Sequence, residues 1–205
     1  MNAVVPIIQN DEKVGVGFIV QHVNKQYLIT AKHVISGPSV FYLNGNPITL
    51  DNPVYISEGT LYQPKNNYFS DCVIFGLRDR TIIAPIVLKP ETISSMDDEF
   101  ELITIDKSLN YLRVDCKPYN NEQNALLFHD QSNWAVYTNA FQLGSLNVQI
   151  KCGFSGSPVF EKGNSGCIGL LSSGRPPSEG SKFQTLATFV KSSHILTLPP
   201  FRDVR

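Results

Sequence analysis

Short apolar runs separated by polar turns dominate the chain. Residues 14–20 and 27–30 are rich in β-branched and aromatic side chains, and the polar pair Asn24-Lys25 lies between them, so these residues predict a β-hairpin. Further apolar runs follow at 40–43, 48–50 and 54–56, and they are separated by Asn-Gly, Asn-Pro and Glu-Gly pairs. This rhythm is typical of a meander of short antiparallel strands and not of helices.

The second half of the sequence has the same rhythm. It predicts strands at 82–88, 100–105, 111–114, 125–128, 134–137, 146–150, 159–160, 167–174 and 183–190, and only residues 191–196 indicate a short helix. Polar stretches lie at 63–70 and 89–98, and the second of these separates the two halves. We therefore expect an all-β chain of two packed barrels, with an N-terminal unit of residues 1–90 and a C-terminal unit of residues 91–205.

Composition limits the classes of function. The 205 residues include 42% hydrophobic side chains, which is enough for a sizeable core, and an all-β chain of this length is commonly a single domain. The net charge of −1 argues against nucleic acid or a membrane surface as the main partner. No apolar run approaches the roughly 18 residues of a membrane span.

The N-terminus and the cysteines indicate a compartment. The first residues lack the basic segment and the longer apolar segment of a secretory signal. Without such a signal, free thiols in a reducing compartment are expected, and the predicted location is the cytoplasm. Cys152 is interpreted as a buried small hydrophobe. Neither the cysteines nor the histidines have the spacing of metal ligands, so the sequence predicts no metal and no cofactor.

The segment KCGFSGSPVF (151–160) holds a serine between two glycines and leads into an apolar run. Gly153 and Gly156 permit a sharp turn and a close approach of the backbone to another molecule. Such a turn can expose the hydroxyl of Ser155 and direct the amides of Gly153 and Ser155 at a common point, as an oxyanion hole requires. An ordinary Gly/Ser/Pro turn between strands has the same composition, so this segment alone leaves both interpretations open.

A histidine and an aspartate upstream also have specific settings. His33 lies in the frame TAKHV (30–34), directly after a predicted buried strand, and the alternative to a catalytic role is a satisfied structural histidine. Asp71 heads the apolar run CVIFGL (72–77), where an acid is costly to bury unless it is paired. It is either a turn aspartate at a strand entrance or a carboxylate that orients an imidazole.

These three segments together resemble the chymotrypsin/trypsin-like serine protease family, in which histidine, aspartate and serine follow in this order. The resemblance covers most of the chain, and the spacing of the segments fits a compact member. It implies two packed six-stranded antiparallel β-barrels followed by a short C-terminal helix. It further implies that Ser155 is the nucleophile, His33 the general base and Asp71 the orienting carboxylate, with the amides of Gly153 and Ser155 as the oxyanion hole.

The resemblance also suggests a substrate pocket. Gln149, Ser172, Ser173 and Gly174 align with its borders, and no acidic residue lies near its expected floor at Gln149. Cleavage after a neutral residue is therefore expected rather than cleavage after Arg or Lys. The implied partner is a protein or peptide substrate, without nucleic acid or membrane, and the existence of a regulatory partner is left open.

Two positions depart from the secreted members of the family. Phe154 stands where zymogen-type members carry an aspartate that pairs with a freed N-terminus, and Val34 replaces the usual cysteine after the motif histidine. Both departures point to the intracellular bacterial and viral branches and to a chain that does not mature by zymogen activation. Two rival interpretations remain: a trypsin-fold pseudoenzyme or protein-binding module without hydrolysis, and a structural β-sandwich with fortuitous motifs.

Overall fold

The computed structural model describes residues 3–58, 70–78, 83–119, 126–130, 133–137 and 139–202. Regular structure within them is almost entirely β-strand, as the alternation of short apolar runs and turns predicts. A first antiparallel sheet has the strand order β5-β4-β1-β2-β3-β7-β6. Its strands are β1 (Val4–Gln9), β2 (Glu12–His22), β3 (Lys25–Thr30), β4 (Val40–Leu43), β5 (Asn46–Ile48), β6 (Leu50–Ile56) and β7 (Val73–Leu77).

A second sheet closes into a barrel. It runs in the order β14-β9-β10-β13-β16-β15, and β14 also pairs with β15, so that six strands form a ring. A seventh strand, β8, joins β15 in parallel, and β11 with β12 forms a separate hairpin. The strands are β8 (Val87–Leu88), β9 (Phe100–Ile105), β10 (Tyr111–Pro118), β11 (Leu126–Asp130), β12 (Asn133–Tyr137), β13 (Ala140–Ser145), β14 (Pro158–Glu161), β15 (Gly166–Arg175) and β16 (Thr185–Lys191).

The buried apolar side chains form two clusters, and these clusters explain why the central strands are almost continuously apolar. In β2, residues 15–20 are all buried, since both faces of this strand are covered. In the second barrel the rings of Phe141 and Phe189 stack with their centres 5.2 Å apart and are fully buried. A short helix, α1 (Ser192–Ile195), follows β16 and ends the described regular structure.

The predicted fold class is confirmed: the described residues are nearly all-β, with two curled antiparallel barrel sheets and one short α-helix among them. The first sheet has seven paired strands, one more than the expected six. Two strand predictions were wrong in detail. Residues 146–150 form no strand, and the strand that completes the barrel is β13, directly before them. The predicted strand 82–88 is reduced to β8, since only its last two residues find a pairing partner on β15.

The passage between the sheets lies close to the predicted boundary. The chain leaves the first sheet after β7 and enters the second at β8, while residues 89–98 contain no strand. The division into residues 1–90 and 91–205 as domains stays a prediction. Of the predicted polar connection at 63–70, all but Ser70 lies outside the described residues. No helix among the described residues combines the length and the apolar character that crossing a membrane demands.

Candidate active site

His33 lies in a single helical turn directly after β3. A 3-10 helix spans Lys32–Val34, and the burial of Val34 anchors it against the core. The backbone N–H of His33 donates a hydrogen bond to Oδ1 of Asp71 over 3.1 Å, and its Nδ1 lies 2.6 Å from Oδ2 of the same carboxylate. Because a carboxylate accepts hydrogen bonds, this contact assigns the donor role to Nδ1 and leaves Nε2 on the other side of the ring. One third of the imidazole side chain is exposed, so Nε2 can act as a base.

Asp71 is a buried carboxylate whose hydrogen bonds compensate for its desolvation. Its side chain is only 1% exposed. Besides the two bonds from His33, its Oδ2 accepts a third from the hydroxyl of Ser172, over 2.6 Å. Three donors around one buried carboxylate make its burial tolerable and fix its orientation. The carboxylate thus interacts with the imidazole, as the sequence predicts.

The serine turn is shaped by two glycines with left-handed backbone angles. Gly153 has a φ of 90° and Gly156 a φ of 91°. The N–H of Phe154 donates to the carbonyl of Lys151 over 3.1 Å, and that of Gly156 donates to the carbonyl of Leu171 over 2.8 Å. These bonds hold the turn on both sides of Ser155.

The two amides expected to form an oxyanion hole differ from their neighbours. Within the described part of the chain, the N–H groups of Gly153 and Ser155 have no hydrogen-bond partner, whereas those of Phe154 and Gly156 do. Donors left unpaired in an otherwise bonded turn are available to an acceptor that is not part of the protein. This pattern is the one that stabilisation of an oxyanion requires.

The hydroxyl of Ser155 points at a third residue. Its Oγ donates to the carbonyl of Ser172 over 3.2 Å, and among the described residues it makes no hydrogen bond to His33. Ser172 therefore connects the site: its hydroxyl contacts Asp71 and its carbonyl contacts Ser155. The structure brings all three predicted catalytic residues into one hydrogen-bonded group, but the connection to the serine runs through Ser172.

The predicted pocket residues divide into two groups. Ser172 lies inside the hydrogen-bonded group described above, a role that sequence reasoning missed because it aligned this residue only with the pocket wall. Gln149 and Gly174 are exposed and Ser173 is half-buried. A Cβ added to Gly174 would lie 3.0 Å from Cγ2 of Thr185 and 3.4 Å from Cγ2 of Ile150. The space behind Gly174 is therefore filled by these two side chains.

Lys13 is a further residue that the sequence did not single out. Its ammonium donates a hydrogen bond to the carbonyl of Gly153 and lies 5.7 Å from the ring centre of Phe154. Burial lowers the pKa of Lys13 to about 8, while the nearby Asp106 partly opposes this shift. In the sequence, Lys13 is a lysine directly before the predicted apolar strand 14–20. Because lysines are common at strand entrances, this position alone did not indicate a role at the site.

The cysteines are all free thiols, and three of them are buried. Burial raises the pKa of Cys116 and of Cys167 to about 12, which keeps these thiols protonated and inert. The interpretation of Cys152 as a buried hydrophobe was wrong: its position in the serine turn leaves it exposed. In the described part of the chain, no three His, Cys, Asp or Glu side chains gather closely enough to hold a metal ion.

Comparison with solved structures identifies the architecture. The active form of the Rv3671c protease from M. tuberculosis superposes with a TM-score of 0.67 at 13% identity, over 100% of this chain and 82% of that one. Kallikrein-related peptidase 10 gives a TM-score of 0.65 at 13% identity, over 96% and 92% of the two chains. The chain has the chymotrypsin/trypsin-like fold.

A third structure of this fold, the MamO protease domain from Magnetospirillum magneticum, matches with a TM-score of 0.60 at 13% identity, over 96% of this chain and 95% of that one. No family model matches the sequence, and no curated protein does either. The likeness therefore lies in the backbone.

Proposed function

We propose that the protein is a serine endopeptidase that hydrolyses peptide bonds through His33, Asp71 and Ser155 and an acyl-enzyme intermediate. The observation that carries the proposal is the coexistence of two features: a carboxylate-bound imidazole that is connected to Ser155 through Asp71 and Ser172, and two unpaired amides in the turn of that serine. Either feature alone occurs in ordinary structural settings. Together they supply the base and the oxyanion donors of an acyl transfer.

The reaction would begin with attack of Ser155 Oγ on the scissile carbonyl. Its proton passes to Nε2 of His33, and Asp71 stabilises the imidazolium through the bond to Nδ1. This step requires Ser155 to exchange its hydrogen bond with the Ser172 carbonyl for one with the imidazole. The amides of Gly153 and Ser155 stabilise the tetrahedral oxyanion, an effect typically worth about 3 kcal/mol for each donor. The imidazolium then protonates the leaving amine, and water releases the acyl group by the same route.

The substrate we propose is a protein or peptide with a neutral residue on the acyl side of the cleaved bond. The support is the composition of the predicted substrate pocket: the side chains at Gln149, Ile150 and Thr185 carry no charge that could pair with Arg or Lys. The cytoplasmic location, the absence of nucleic-acid and membrane partners, and any regulatory partner stay predictions from the sequence.

A second candidate is a trypsin-fold binding module without hydrolysis. The observation that favours it is the hydrogen bond from Ser155 to the Ser172 carbonyl, because a serine bonded there is not bonded to its base. The two candidates predict different reactivity for the hydroxyl of Ser155: an endopeptidase requires a nucleophilic hydroxyl there, and a binding module does not.

The deciding experiment is labelling with a fluorophosphonate probe, followed by hydrolysis of a peptide library. We expect the wild-type protein to be labelled and to cleave peptides, and Ser155→Ala to do neither while unfolding at the same urea concentration. Ser178→Ala, an exposed serine outside the site, serves as the matched control and should behave as the wild type. Folded wild-type protein that is neither labelled nor active would favour the binding module.

A further inference from the structure

The side chain of Lys13 reaches the serine turn from the opposite sheet. Lys13 lies on β2, 140 positions away from Gly153 in the sequence, and its Nζ donates to the carbonyl of that glycine. The same ammonium lies over the ring of Phe154, 5.7 Å from its centre. It therefore interacts with both residues that directly precede Ser155.

An irregularity in the first sheet orients this lysine. Ile7 pairs with Gly15 and Ile8 with Lys13, so one residue of β2 lies outside the register at this point. Such a bulge changes the direction in which the following side chains point, and bulges are frequent beside active sites. The half-buried Lys13 is directed at the serine turn rather than at solvent.

The peptide group between Gly153 and Phe154 is held at both of its polar atoms. Its carbonyl accepts from Lys13, and its N–H donates to the carbonyl of Lys151 over 3.1 Å. Rotation of this peptide group changes ψ of Gly153 and φ of Phe154, the angles that connect it to the peptide groups on either side. Those neighbouring groups carry the free N–H groups of Gly153 and Ser155, so holding the central group restricts the directions that both amides can take.

We propose that Lys13 is a positioning residue that holds the Gly153–Phe154 peptide group and thereby keeps the two oxyanion donors directed at the reacting carbonyl. The inference rests on the proposed function, because a hole for an oxyanion has a purpose only if acyl transfer takes place. Lys13 contacts neither substrate nor reacting atoms in this assignment. It acts through the backbone of the turn.

The electrostatic setting of Lys13 supports the assignment. Burial lowers its pKa to about 8, Asp106 in the turn after β9 raises it, and Lys107 in the same turn lowers it further. At neutral pH the lysine is therefore mostly charged, although its surroundings disfavour the charge. Shifted pKa values that arise from burial beside a specific charged partner cluster at functional sites.

The experiment compares Lys13→Met, Lys13→Arg and the control Lys25→Met, which removes an exposed lysine at the start of the neighbouring strand. We expect Lys13→Met to lower kcat by roughly tenfold or more with little change in KM, since misplacing an oxyanion donor affects the transition state selectively. Lys13→Arg retains a charged donor and should recover most of the activity, and Lys25→Met should behave as the wild type. A kcat of Lys13→Met within twofold of the wild type would overturn the proposal.

A second measurement separates this inference from the proposed function. In ¹⁵N-labelled protein, the amide resonances of Gly153, Phe154 and Ser155 should move in Lys13→Met and stay in place in Lys25→Met. If the wild type proves inactive, the endopeptidase proposal fails, and these resonances still decide whether Lys13 holds the turn. Unmoved resonances in Lys13→Met would refute the positioning role regardless of activity.

Discussion

At the scale of single residues, the burial of Asp71 determines which hydrogen bonds the site must contain. A carboxylate that is 1% exposed has lost its hydration, and three donors from the protein replace it. Two of them come from His33 and one from Ser172. The carboxylate is therefore held in place independently of the imidazole, and it can keep the imidazole in the tautomer that a base requires.

Replacing Ser172 tests this arrangement. Ser172→Ala removes one donor from a buried charged acceptor, which typically costs about 1.5–3 kcal/mol. We expect a lower free energy of unfolding and a kcat reduced by roughly tenfold, because the imidazole loses part of its support. Urea unfolding and peptide hydrolysis measure the two effects. The control is Ser173→Ala, whose lost hydroxyl has no hydrogen-bond partner among the described residues and whose loss should therefore change stability little. An equal loss of stability in both variants would contradict the assigned role of the Ser172 hydroxyl as a donor to Asp71.

The sequence singled out His33, Asp71 and Ser155, whose catalytic roles stay a prediction, but not the groups that connect and support them. His33, Asp71 and Ser155 each lie in a short motif whose neighbours restrict the local backbone. Ser172 contacts Asp71 across 101 positions of the chain, and Lys13 contacts Gly153 across 140. No local pattern encodes such a contact, because the partner is defined only when the two sheets pack together.

At the scale of the elements, the side chains beside Gly174 bear on the proposed substrate preference. Gly174 lies near the end of β15, and its paired strand β16 begins with Thr185. The backbone N–H of Ile150 donates to Oγ1 of Thr185 over 3.0 Å, which fixes the Thr185 side chain relative to the Ile150 backbone, and the Cγ2 atoms of both residues lie next to Gly174. We expect cleavage after small neutral residues, and we expect Ile150→Ala to admit larger ones.

Profiling of a peptide library measures this preference in the wild type and in Ile150→Ala. Each methylene that a pocket gains or loses changes selectivity by roughly 10- to 200-fold, so the shift should be readily detected. Thr197→Ala, on the exposed side of the C-terminal segment, is the matched control and should leave the preference unchanged. A wild-type preference for Arg or Lys would contradict the proposed character of the cleft.

The elements also explain why strand prediction from the sequence failed in two places. Residues 146–150 alternate apolar and polar side chains, yet they form no strand because they lead directly into the serine turn and their last amide is bonded to a side chain. The strand β1 was not predicted, and it contains Pro6. Its pairing with β4 involves only Ile7 and Ile8, so the missing N–H of the proline leaves no gap in that ladder.

At the scale of the whole molecule, the site exists only where the serine turn docks on the first sheet. The N–H of Val16 in β2 donates to the carbonyl of Ser155 over 2.9 Å, and Oγ1 of Thr30 in β3 donates to the carbonyl of Val16 over 2.6 Å. His33 follows β3 and Asp71 precedes β7, and these two strands pair with each other. This contact between the sheets therefore brings Ser155 to the same place as the His33–Asp71 pair.

Gly156 lies at the centre of the contact between the serine turn and β2. Its replacement should show how much of the loss of stability comes from a steric clash and how much from backbone strain alone. A Cβ at this position would lie 1.8 Å from the carbonyl oxygen of Val16, in a residue whose φ is 91°. Gly163 has a similar φ of 83° and open space around it, so Gly163→Ala carries the strain without the clash. We expect Gly163→Ala to lower the free energy of unfolding by about 1 kcal/mol and Gly156→Ala to lower it by roughly 2–4 kcal/mol, since overpacking adds to the strain.

Urea unfolding measures the difference, and fluorophosphonate labelling should be lost only in Gly156→Ala. Equal costs in the two variants, with labelling intact, would mean that the close approach of the serine turn to β2 is not what holds the nucleophile in place.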